Sequence, residues 1–134
     1  MAGYQPEIIT IPEVKIDEEV ISKAKEAIEV ERQVIVHVTM RTSFTWWQLR
    51  IWPSTFLVPR GIGPESKLLN AENIPFYPQW LHVFGNTHRF TLIFEGLPED
   101  CEVFDLIERI PQEGGFEYFG IRRNRSDVYH IELE

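Results

Sequence analysis

The chain of 134 residues has one cysteine, Cys101. No intrachain disulfide can form, so an apolar core must hold the fold unaided, and a chain of this length can bury one. Histidine is sparse as well. His37, His82, His88 and His130 lie far apart, and neither an HExxH nor a CxxC spacing occurs. No metal site is therefore expected, and a solvated histidine on the polar face of its strand is the ordinary reading of His37. Basic residues are the minority: 13 Lys and Arg stand against 21 Asp and Glu, a net charge of −8. That balance lacks the basic face a nucleic-acid backbone or an anionic membrane surface requires, and solubility accounts for it. No stretch approaches the ~18 apolar residues of a membrane span. The opening residues, Met1 to Glu7, lack the basic region and apolar run of a signal peptide.

Catalytic signatures are also missing. There is no G-x-S-x-G elbow, and Cys101 sits among Glu99, Asp100 and Glu102, whose charges raise a thiol's pKa and work against activation. Gly61 to Lys67 departs from the GxxxxGK[ST] phosphate loop, and Pro64 removes a backbone donor where such a loop needs one. Asp105, with Glu95, Glu108 and Glu117 as partners across a sheet, is the one carboxylate set open to glycosidase chemistry, and acidic surface is its simpler reading. The expectation is a protein that is not an enzyme and takes no cofactor.

What the sequence does have is aromatic residues, 13% of the chain with nine Phe and four Trp, which suits a sheet-based core. Pro6 and Pro12 flank Ile8 to Ile11, so residues 1–15 read as an extended arm or edge strand, and residues 16–134 as a single β-sandwich domain. Residues Ile16 to Ala27 fit either a helix capped by Asp17 or a strand. From Ile28 to Met40, apolar and polar residues alternate through Val34, Val36 and Val38, a half-buried strand. Phe44 to Val58 places Trp47, Leu49 and Ile51 on one face and is two strands, or one bent at Pro53. Lys67 to Ile74 is a short strand, followed by a long loop from Pro75 towards His88. Phe90 to Glu95, Glu102 to Ile110, Phe116 to Arg123 and Val128 to Leu133 complete the set, with Asn124 to Asp127 as a tight hairpin connection between the last two. The predicted core is Val34, Val36, Val38, Trp47, Leu49, Ile51, Phe90, Leu92 and Phe94. Several short strands with turn signals between them suggest a sandwich or barrel, and the fold class expected is all-β, an immunoglobulin-like antiparallel sandwich with room for one short helix.

The run Arg32 to Thr39, then Trp46-Trp47-Gln48-Leu49-Arg50-Ile51, Pro53 to Val58, Lys67 to Ile74, Phe90 to Pro98 and Phe104 to Glu108 form an ordered series. Together they resemble a poorly characterised bacterial family of immunoglobulin-like β-sandwich accessory domains in exported proteins, some of which stand ahead of thioredoxin-like domains. The resemblance spans roughly Val20 to Ile121. It implies a strand at Ile16 to Ala27, a periplasmic or cell-surface location and no catalytic motif.

Binding residues are sought among the exposed aromatics and the one basic cluster. Trp46 and Trp47 are adjacent and must point to opposite faces of a strand. Trp46 shares a face with Trp52 but lies about 20 Å from it at ~3.3 Å per residue, so a carbohydrate platform would need Tyr77 or Trp80 from the long loop. Such a surface suits another protein or a glycan. Burial of Trp46 under that loop is the competing account. Arg122, Arg123 and Arg125 flank the last turn and are candidates for an anion or a partner's carboxylate, against a solvated hairpin. Asn124-Arg125-Ser126 also matches a glycosylation sequon.

Overall fold

The computed structural model describes residues 32–134, so the arm at residues 1–15, the helix-or-strand segment Ile16 to Ala27 and the start of the Ile28 to Met40 run lie outside the described residues. Among the described residues every regular element is a strand: β1 (Val34–Arg41), β2 (Trp46–Leu49), β3 (Thr55–Pro59), β4 (Ser66–Glu72), β5 (Leu81–Phe84), β6 (Thr87–Phe94), β7 (Val103–Glu108), β8 (Glu117–Arg122) and β9 (Val128–Leu133). None of these residues forms a helix long and apolar enough to cross a membrane.

Seven strands form one sheet in the order β8-β7-β3-β4-β6-β1-β9, and β2 pairs with β5 in a separate ribbon. All pairings are antiparallel except β1 with β9, which run parallel, so the sheet is mixed rather than purely antiparallel. β4 serves both halves of the sheet. Its Ser66 and Lys67 pair with β3, while Leu68 to Glu72 pair with β6 across a register shift. A strand that bends in this way turns a sheet's corner. At the opposite side the edge strands β8 and β9 follow one another in sequence through residues 123–127. The sheet therefore curls until its two edges approach, a nearly closed barrel, and the connection expected to make a hairpin instead bridges the two edges.

The core lies between the two halves. The alternation in β1 buries Val34, Val36 and Val38 and leaves His37 and Thr39 half-buried on the outer face. Phe90, Leu92 and Phe94 of β6 repeat the pattern, opposite Leu57, Phe104 and Leu106 from the β3–β7 half. Phe104 meets Tyr129 of β9 edge to face, ring centroids 5.0 Å apart. Eight of the nine predicted core residues are buried. Trp47 is the exception, half-buried and packed against the core.

Phe44 to Val58 forms two strands, and they belong to different layers. β2 joins β5, which the sequence reading had placed inside a long loop, and β3 joins the main sheet. Arg41 faces Thr87 at the end of the β1–β6 ladder, and Trp46 faces Phe84 where β2–β5 begins. Between them Thr42 donates its N–H to the Asn86 carbonyl and Gly85 donates to Thr45, so the ribbon continues the β1–β6 ladder beyond an irregular bend. Gly85 holds φ +106° there, which a side chain would resist. Leu49 and Val83 bury the inner face of the ribbon.

Candidate functional site

Because side chains alternate along a strand, burying Leu49 and Val83 turns Trp46 and Phe84 outward. They are direct cross-strand partners, 55% and 77% exposed, and Phe44 at the bend is 67% exposed. His82 stacks on Trp46 with centroids 6.0 Å apart. Trp47, on the inner face, donates its indole N–H to the Gly85 carbonyl at 2.7 Å. The loop does not fold over Trp46. Its β5 strand pairs along the edge of β2 and adds Phe84 and His82 to the same face.

Trp52, Tyr77 and Trp80 gather elsewhere, and Trp46 does not join them. Ile51 pairs with the segment after Pro75 through an N–H to the Pro75 carbonyl (2.9 Å) and a carbonyl accepting from Tyr77 (2.8 Å). This brings Trp52 and Tyr77 into a face-to-face stack with centroids 3.8 Å apart. The Arg50 guanidinium lies 3.8 Å from the Trp80 ring and 4.7 Å from that of Tyr77, a cation–π arrangement. Trp52 and Trp80 border a cleft with Trp47, Phe116, Gln48 and Glu113.

Glu108 also lines that cleft and is itself buried. Its carboxylate accepts N–H bonds from Trp52 (2.8 Å) and Phe116 (3.0 Å), tying the β2–β3 connection to the β7–β8 connection. Burial pushes its pKa up, against the opposing effect of the two backbone donors and the Arg50 charge. The β7–β8 connection lies so close that a side chain on Gly115 would collide with the Glu108 carbonyl. Asp105 is on the opposite face of β7, where it accepts the Gly120 N–H at 2.8 Å and pairs with Arg60 at 3.0 Å. Glu95 accepts the Lys67 N–H. Asp105 and Glu108, on opposite faces of one strand, do not converge.

The basic cluster separates into different roles. Arg123 turns inward and grips Asp127, which is 1% exposed, through Nε at 2.6 Å and Nη2 at 3.1 Å. Its Nη1 donates to the Pro98 and Cys101 carbonyls. The Tyr129 hydroxyl donates to Asp127 at 2.8 Å and accepts from the Asn124 N–H. Burial opposes the charge on Asp127. The hydrogen bonds from Arg123 and Tyr129 and the charges of Arg123 and Arg32 outweigh it, so the carboxyl titrates below its ordinary range. Burial, with the bond to Asp127, pushes Tyr129 up to about 12. Arg123 is thus a structural clasp that ties Asp127 to the Pro98 and Cys101 carbonyls. Arg122 and Arg125 remain exposed. The Asn124 side-chain amide, the nitrogen a sequon would use, donates to the Val128 carbonyl. Cys101 is buried, and burial is the main reason its thiol pKa rises.

Comparison with protein-family models, curated proteins and solved structures finds no match to this chain. Sequence reasoning selected Trp46 but missed Phe44, His82, Phe84 and Arg50. The signal for Phe84 was present in Leu81-His82-Val83-Phe84, whose period of two marks a short strand, but the prolines on its N-terminal side read as loop.

Proposed function

We propose that this domain is a non-catalytic accessory module that binds another protein through the outer face of the β2–β5 ribbon. One observation carries the reading. Trp46 and Phe84 form an exposed cross-strand pair, with Phe44 beside them, on a ribbon whose other face is fixed in the core. Large aromatic residues held outward on a rigid element give much contact area at low entropic cost, and Trp is enriched among the residues that dominate binding energy. The matching partner surface is apolar, with a recess for an indole. Membership among immunoglobulin-like accessory domains of exported proteins, with a periplasmic or cell-surface location, is part of the same proposal. The many short strands and the two facing halves support it, while the continuous curled sheet and the parallel β1–β9 pair are what such a family would have to accommodate.

The second reading is a carbohydrate-binding module, favoured by the cleft where Trp47, Trp52 and Trp80 stand beside Gln48 and Glu113. Against it, Tyr77 already covers one face of Trp52, and Arg50 covers one face of Trp80. A capture experiment on extract of the native cells separates the two, comparing wild type with a Trp46→Ala/Phe84→Ala variant and running a glycan array in parallel. The expected result is a protein retained by the wild type and lost by the variant, with a blank array. An array signal abolished by Trp80→Ala and untouched by the ribbon variant would replace the first reading with the second.

A further inference from the structure

The sheet register joins two histidines that are far apart in the sequence. His37 of β1 lies directly opposite His130 of β9 on one side and Thr91 of β6 on the other. Val36, Val38, Tyr129 and Ile131 take the inward positions of these strands, so all three residues share the outer face. The imidazole centroids are 4.9 Å apart, with the ring planes inclined by 30°. Thr91 Oγ1 is 2.8 Å from His37 Nδ1.

Two imidazoles this close on one face offer two nitrogen donors to a single ion. A ligating histidine characteristically has its second nitrogen held by a hydrogen bond that fixes tautomer and ring orientation. In the tautomer whose His37 Nδ1–H donates to the threonine hydroxyl, Nε2 keeps its lone pair for a ligand. The paired strands set the separation of the two rings, so chelation costs little ordering. Among the described residues no group of three or more His, Cys, Asp or Glu gathers that could complete a closed coordination shell. Glu132, two residues beyond His130, pairs with Arg41 at 3.4 Å. Two nitrogen donors suit zinc, nickel or copper, whereas calcium and magnesium require oxygen ligands.

We propose that His37 and His130 together bind one divalent transition-metal ion, with the remaining coordination positions open to water or to a group from a partner.

The test is calorimetric titration of the tag-free chain with Zn²⁺ at neutral pH, combined with imidazole ¹H–¹⁵N spectra of the same samples. One zinc per chain is expected, with resonance shifts at His37 and His130 and none at His82 or His88. His37→Ala and His130→Ala should each weaken binding by at least about tenfold, and Thr91→Val, which frees the His37 ring, by about tenfold. The spectra of the unaltered chain need no variant, so misfolding of a variant does not obscure the answer. Unchanged zinc affinity in a His37→Ala/His130→Ala variant, or no shift at these two rings under a several-fold excess of zinc, would overturn the proposal.

Discussion

Asp127→Ala is expected to cost about 3–5 kcal/mol, because removing one partner of a buried ion pair leaves the other charge uncompensated. The change strips Arg123 of its carboxylate and Tyr129 of its acceptor while both remain in place. It also puts alanine at φ +55°, a conformation that aspartate and asparagine tolerate better. Asp127→Asn keeps the backbone preference and one acceptor, so its loss should be smaller. The effect depends on pH in a defined direction. The folded carboxyl titrates below its unfolded value of about 3.9, so its contribution is fully present above that value and is lost as pH falls through the folded pKa. The gap between wild type and Asp127→Ala, measured by urea unfolding, should be full at neutral pH and narrow below about pH 4. A gap unchanged by acid would mean that packing, not charge, is what Asp127 supplies.

Phe94→Ala should be comparably severe, at about 3–5 kcal/mol. The ring is fully buried at the end of β6, where Val34 of β1 and Leu68 of β4 both register against it. Its removal opens a cavity where the corner strand meets the sheet, and rigid backbone on both sides limits collapse. Phe90→Ala, on the same face, serves as a second reading. Losses under ~0.5 kcal/mol at both positions would place these side chains outside the core.

The strands were legible where burial is one-sided. In Val34 to Met40 and in Phe90 to Phe94 one face meets the core and the other meets solvent, and a period of two records that directly. Pro53 marked the break between β2 and β3, but no local signal could show that the two strands join different layers. β5 was hidden because it is four residues long and follows Pro75 and Pro78. The roles of Glu108 and the His37–His130 pair depend on which strands and connections become neighbours, a property of topology that spacing along the chain does not carry, whereas Asp127 finds Arg123 and Tyr129 within its own turn. Trp46 was found because adjacent tryptophans on a strand must diverge. Its partner Phe84 was not found, because it comes from the strand that read as loop.

The most direct measurement of the central claim, that the ribbon presents Trp46 outward from a rigid scaffold, is iodide quenching of tryptophan fluorescence in wild type and in Trp46→Phe, with unfolding curves for both. The ribbon geometry predicts that the substitution removes a readily quenched component and changes stability by less than ~0.5 kcal/mol, the usual limit for a surface change. Quenching left unchanged by the substitution, together with clear destabilisation, would show Trp46 to be part of the core and would contradict the binding face.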